Sequence, residues 1–96
     1  MRNLTVIIPF LNEGAEICET VKSIRETARD NVDILLINDA STDSFDYEEI
    51  GRGYKVKYMV NKKRLGPAFS RDLGIGMIET DYFLTVDGHM RFYDND

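Results

Sequence analysis

Apolar positions along the chain alternate between two periodicities, and their order predicts the fold. Leu4-Thr5-Val6-Ile7-Ile8-Pro9 is almost continuously apolar and β-branched, the pattern of a parallel strand covered on both faces, with Pro9 expected to end it. Ile17, Val21, Ile24 and Ala28 then recur at helical spacing, behind Asn12 as the expected cap and with Glu13 and Glu16 near the positive helix end. Asp33-Ile34-Leu35-Leu36-Ile37-Asn38 reads as a second, parallel strand. The polar turn Asp39-Ala40-Ser41-Thr42-Asp43 leads into a less regular segment from Phe45 to Ile50, which Gly51 and Gly53 are expected to break. Lys55 to Val60 alternates at first, as suits a strand near the sheet edge. Gly66-Pro67 opens a second helix through Ala68, Phe69, Leu73 and Met77, the last three expected in the core from their spacing, and Tyr82 to Val86 forms the last strand. This order predicts an α/β domain, a Rossmann-like, mostly parallel sheet with flanking helices. In such a sheet right-handed crossovers collect ligands beyond the carboxyl ends of the strands.

Composition narrows the function. The 96 residues allow one small domain, spanning 1–96, and a 43% apolar fraction supports a buried core. A net charge of −5 argues against a nucleic-acid or anionic-membrane surface, the short run Lys62-Lys63-Arg64 being the exception. The single cysteine, Cys18, excludes an internal disulfide and fits a reducing compartment as a small buried helix residue. The apolar runs are too short to span a bilayer and the amino terminus lacks the regions of a signal peptide, so the expected location is cytoplasmic, with the full-length protein peripheral at the membrane.

Candidate chemistry falls at three strand ends: Asn12 and Glu13, then Asn38 and Asp39, then Asp87 and His89. Asn12, Ser41 and Thr42 are more simply read as capping and turn residues. A carboxylate at the carboxyl end of a strand, such as Asp39 or Asp87, can hydrogen-bond a base or ribose or hold a metal over a diphosphate. Asp87-Gly88-His89 places an acid and an imidazole two residues apart. In extended backbone they face one way and can share a divalent cation, with Gly88 removing a side chain where a ligand approaches. Arg64 and Arg71 flank the start of the second helix, whose amino end attracts anions, while Lys62 and Lys63 read as a solvated loop. Arg71 also has Asp72 or Glu79 as simple ion-pair partners.

Together, Val6-Ile7-Ile8-Pro9-Phe10-Leu11-Asn12-Glu13, Ile37-Asn38-Asp39-Ala40-Ser41-Thr42-Asp43, the stretch from Asn61 to Arg71 and Asp87-Gly88-His89 resemble glycosyltransferase family 2, with its GT-A nucleotide-diphospho-sugar transferase fold. The resemblance covers essentially the whole chain. It implies that Pro9, Leu11, Glu13, Asp39, Arg71 and Asp87 bind the nucleotide, with Asp39 at the uracil or other base, and that Asp87 and His89 hold the metal. His89 departs from the second acid of the usual Asp-x-Asp motif. The Asp-x-His form resembles that of the polypeptide N-acetylgalactosaminyltransferases, where the histidine is a metal ligand. A mixed Asp and His shell with phosphate oxygens suits Mn²⁺ over Mg²⁺.

The expected donor is a UDP-linked sugar and the acceptor a glycan or lipid-linked glycan. Only five residues, from Phe92 to Asp96, lie beyond His89-Met90-Arg91. The chain is therefore expected to be the truncated, nucleotide-binding half of such a domain, inactive alone, with no general base identified. Its last strand is expected to lack a neighbour, leaving an edge able to form a homodimer. Three alternatives fit less well. A nucleotidyltransferase opens with a Gly-rich loop, whereas Pro9 to Gly14 holds one glycine; a receiver needs a late lysine; a Rossmann dehydrogenase needs Gly-x-Gly-x-x-Gly. A non-catalytic nucleotide-binding or regulatory module stands as the alternative outside enzymes.

Overall fold

A computed structural model of the protein describes residues 3–54 and 56–88. His89, the second metal ligand expected from the sequence, lies outside the described residues, as do Asp94 and Asp96. The elements follow the order β1 (Leu4–Phe10), α1 (Ala15–Ala28), a short 3₁₀ turn (Arg29–Asn31), β2 (Asp33–Asn38), α2 (Tyr47–Tyr54), β3 (Lys57–Val60), α3 (Pro67–Ile75) and β4 (Tyr82–Thr85). Four strands form one sheet in the order β3-β2-β1-β4, and every neighbouring pair is parallel. The chain winds outward from β1 through β2 to β3, then returns to lay β4 on the other side of β1. The strand order therefore reverses between β1 and β4, the place where open α/β sheets leave a crevice.

Pro9 acts differently from expectation. It does not end β1, which pairs with β2 through Pro9↔Ile37 and Phe10↔Asn38. The Ile7 carbonyl accepts the Val86 N–H at 3.1 Å on the β4 side. Two residues on, Pro9 faces the same side and has no N–H to give, so the ladder to β4 stops while the ladder to β2 continues. Proline thus opens the crevice without breaking the strand.

One face of the sheet carries Val6, Ile8, Phe10, Ile34 and Leu36, packed under Ile17, Val21 and Ile24 of α1 and Tyr47 and Ile50 of α2. On the opposite face Ile7, Leu35 and Ile37 lie under α3, with Met59, Ile75 and Ile78 beside them. Cys18 is half-buried and reduced against the first of these clusters.

Several local expectations are corrected. The cap of α1 is Gly14, at φ 59°, and not Asn12. Helix α2 runs through Gly51 and Gly53 instead of stopping there; a Cβ on Gly51 would stand 3.3 Å from the Val56 carbonyl oxygen, so the glycine lets the chain fold back closely into β3. Phe69, Leu73 and Met77 are not core residues, being 56%, 37% and 51% exposed. The buried residues of α3 are Ser70 and Gly74, because a Cβ on Gly74 would come within 2.7 Å of Ile37 Cδ1 and 2.9 Å of Ile7 Cγ2. Small residues bring this helix down onto the sheet, and the apolar triplet is left facing outward. Among the described residues β4 is an edge strand, and its Tyr82, Phe83 and Leu84 are exposed. No helix among the described residues is long and apolar enough to cross a membrane.

Candidate functional site

The loops after β1 and β2 are tied to each other before they meet any ligand. Asn12, at φ 52°, accepts the Thr42 N–H on its side-chain oxygen at 2.7 Å, and its own N–H donates to Ser41 Oγ at 2.9 Å. Asn38 accepts the Ser41 N–H at 2.8 Å and donates to the Tyr58 hydroxyl at 2.9 Å. Turn residues read singly from the sequence are therefore one cross-linked unit.

Tyr47 closes it from below. Its hydroxyl donates to Asp43 and accepts the Gly14 N–H at 2.7 Å, while its ring lies 4.6 Å from that of Phe10 and 5.0 Å from that of Phe45. Burial, with the Asp43 carboxylate beside it, pushes the Tyr47 phenol up to about 12.

Asp39 is the buried hub of the rim, 3% exposed. Its Oδ1 accepts the Asn61 amide at 2.9 Å and the Leu65 N–H at 2.8 Å, and its Oδ2 accepts the Gly66 N–H at 2.9 Å. Burial pushes this carboxyl up, but the bonds from Leu65, Asn61, Gly66 and Ser70 outweigh it and hold the group below its ordinary value. Asn61 also donates to Ser70 Oγ at 3.0 Å, so the carboxylate, the loop before α3 and the buried face of α3 form one network. A carboxylate can accept about four hydrogen bonds, so the group keeps acceptor capacity beyond those from Asn61, Leu65 and Gly66.

Two adjoining cavities of about 390 Å³ and 300 Å³ fill the crevice, sharing Pro9, Pro67 and Asp87 as walls. Ala68, Arg71, Thr85 and Val86 complete the first; Phe10, Leu11, Glu13, Asp39, Arg64, Gly66 and Gly88 complete the second. Pro9, Leu11, Glu13, Asp39, Arg71 and Asp87, scattered over the sequence, thus line one continuous space at the switch point of the sheet. Arg64 joins them. Arg71 reaches Asp72 at 3.4 Å, both side chains being well exposed, so the pair is weak and leaves the guanidinium available to a ligand; Glu79 pairs with Lys57 instead. Pro67 opens α3 at the crevice, turning the amino end of that helix toward it.

Asp87 is exposed at the junction of the cavities, and among the described residues nothing pairs with its carboxylate. Gly88 lines the second cavity and also packs closely. A Cβ there would stand 2.7 Å from Ile17 Cδ1, 3.0 Å from Glu13 Cγ and 3.1 Å from Phe10 Cβ, so the glycine is seated against β1 and α1. No group of three His, Cys, Asp or Glu side chains able to hold a metal occurs among the described residues.

The sequence model of the family described as Glycosyl transferase family 2 matches residues 5–96. The chain belongs to glycosyltransferase family 2. It is 35% identical over 94 residues to an uncharacterized glycosyltransferase of Rickettsia conorii, covering 94% of this chain and 15% of that protein. An uncharacterized glycosyltransferase of Haemophilus influenzae is 33% identical over 87 residues, covering 88% of this chain and 27% of that protein. The family 2 chain therefore spans well under a third of the length of these relatives.

Among solved structures, a mannosyltransferase from Pyrobaculum calidifontis in complex with GDP-Man and Mn²⁺ superposes with a TM-score of 0.80 at 22% identity, covering 95% of this chain and 29% of that one. Residues 1–349 of S. aureus TarS in complex with UDP give 0.79 at 23% identity, covering 93% of this chain and 28% of that one. The fold is of the GT-A glycosyltransferase type.

Proposed function

We propose that the crevice between β1 and β4 binds a nucleoside-diphospho-sugar, UDP-linked, with a divalent cation at Asp87, and that the complete protein transfers the sugar to a glycan or lipid-linked glycan. The observation that carries this reading is the convergence of Asp39, Arg71 and Asp87 on one crevice in a chain of this family. Its two ends differ in chemistry. The Asp39 carboxylate, in the wall of the second cavity, can accept a hydrogen bond from the imide N–H of uracil, where adenine presents an acceptor at the corresponding ring nitrogen. Arg71 and the amino end of α3, at the first cavity, offer positive charge to phosphates.

The acidic groups Glu13, Asp39 and Asp87 face the same space, so an anionic diphosphate needs a countercharge there. Asp87, unpaired among the described residues and exposed where the two cavities meet, and His89 two residues on in the sequence would hold the cation. A mixed shell of this kind favours Mn²⁺ over Mg²⁺. When bound, the cation stabilises the charge that builds on the leaving diphosphate. Two of the structural neighbours are complexes, one with GDP-Man and Mn²⁺ and one with UDP, which supports a nucleotide in the crevice while leaving the base to be read by this chain's own residues. The exposed β4 edge is the surface we assign to pairing with a second copy.

Calorimetry of UDP, GDP and ADP with and without Mn²⁺ tests the reading. UDP binding that strengthens with Mn²⁺ and weakens in Asp87→Ala is the expected result. Equal affinity for the three nucleotides, unchanged by Mn²⁺, would leave the chain as a fold without the proposed site.

A further inference from the structure

The four buried residues of α1 are Ile17, Thr20, Val21 and Ile24, and only Thr20 is polar. A threonine in mid-helix is less favourable than alanine or leucine, and a buried hydroxyl must find a partner. Thr20 is fully buried, and its hydroxyl donates to the Gly88 carbonyl at 2.7 Å, across 68 residues of sequence. Gly88 is the middle residue of Asp87-Gly88-His89. A Cβ on Gly88 would meet Ile17, Glu13 and Phe10, so close packing on one side and the hydrogen bond from Thr20 together hold the backbone at Gly88, directly after Asp87. The Asp87 side chain carries no such restraint among the described residues and faces both cavities.

We infer that Thr20 is a positioning residue for the Asp87 carboxylate: by holding the Gly88 carbonyl against α1, it sets where Asp87 stands in the crevice. The inference rests on the proposed cation at Asp87. A carboxylate can serve as ligand only from a narrow range of positions, and here the backbone behind it is held by a helix that does not itself reach the ligand. A purely structural role predicts a stability loss with unchanged ligand binding in the molecules that fold. A positioning role predicts a loss confined to the cation-dependent part of binding.

The test uses the full chain and compares Thr20→Val, which keeps the shape and removes the donor, with Thr20→Ser, which keeps the donor. Thr20→Cys, of similar size with a much weaker donor, stands in if the valine variant does not fold. UDP and uridine affinities are measured by calorimetry with and without Mn²⁺, on samples shown to be folded by circular dichroism. Removing a group that orients a metal ligand typically lowers metal affinity by about 10–100-fold. Thr20→Val is therefore expected to lose about tenfold or more of the Mn²⁺-dependent gain in UDP affinity, with uridine binding within about twofold of the parent and Thr20→Ser close to the parent. A folded Thr20→Val or Thr20→Cys protein that keeps the parent's Mn²⁺-dependent gain overturns the inference and leaves the cation site standing. A parent chain with no Mn²⁺-dependent gain overturns the cation site itself, and the role of Thr20 with it.

Discussion

Helices α1 and α3 cover opposite faces of the same sheet with opposite kinds of surface. α1 sets branched aliphatics, Ile17, Val21 and Ile24, into the core, and its apolar periodicity points where hydrophobicity says it should. α3 meets the sheet through Ser70 and Gly74 and turns Phe69 and Leu73 outward. The first helix stands off at side-chain distance and is held by area removed from water. The second comes down to near backbone contact, where volume rather than hydrophobicity decides what fits. Their starts differ as well. The Gly14 N–H that opens α1 is held by a phenol, and the Leu65 and Gly66 N–H groups before α3 are held by a carboxylate.

The largest test of this contrast is Ile24→Ala on α1, which is expected to cost about 2–5 kcal/mol in urea denaturation, the usual range for emptying a buried aliphatic site. A loss below about 1 kcal/mol would mean that α1 is not packed as described. Next is Gly74→Ala on α3. Alanine is the better helix former, yet its methyl meets Ile7 Cγ2, which is fixed to a β-branched carbon of a central strand, so a destabilisation of about 1–3 kcal/mol is expected. A stabilised variant would show that α3 lies further from the sheet.

The pH limbs of stability should separate the two helix starts. The Tyr47 phenol is raised to about 12 from its ordinary 10, so its contribution is complete below pH 10 and is lost as pH rises toward 12. Asp39 is lowered from 3.8, so its contribution is complete above that value and is lost as pH falls through its lower folded value. Tyr47→Phe should flatten the alkaline limb of a denaturation series and leave the acid limb, and Asp39→Asn should do the reverse; variants that move the same limb would refute the separation. The smallest effect is expected at Leu73→Ala, on the outward side of α3, within about 0.5–1 kcal/mol of the parent. A loss as large as that of Ile24→Ala would put Leu73 back in a core.

The sequence showed most clearly what hydrophobicity alone determines. β1, β2 and α1 are built from branched aliphatics whose period matches the element, and Gly66-Pro67 marks the start of α3 by backbone chemistry alone. The buried side of α3 was hidden because a helix lowered onto a sheet by glycine and serine buries little hydrophobicity. α2 was hidden because Gly51 reads as a breaker until β3 is seen folded against it. Among site residues, Pro9, Leu11, Glu13, Asp39 and Asp87 line the crevice because the carboxyl ends of parallel strands are adjacent by construction, and Arg71 reaches it from the first turns of α3. Asn12 serves the turn and not the cap because its partner, Thr42, comes from another segment of the chain, and the close packing of Gly88 against Ile17 is likewise set by a distant segment. Thr20 left one faint signal, a lone hydroxyl on an apolar helix face. Arg64 had the same local claim as Arg71 and needed the fold of the loop before α3 to bring it to the wall.

The burial of Asp39 beneath the loop before α3 also determines when that loop can exist. Leu65 and Gly66 lie in a connection, where amide hydrogens ordinarily exchange with solvent readily, but theirs are given to a carboxylate at the end of β2. To expose them, the loop must pull away from a group seated in the sheet, so they are expected to exchange with the slow amides of β2 and not with those of neighbouring Lys62 and Lys63. The same dependence orders folding. The loop is expected to close only once Asp39 is seated at the end of β2, so the wall of the crevice is expected to form after that strand.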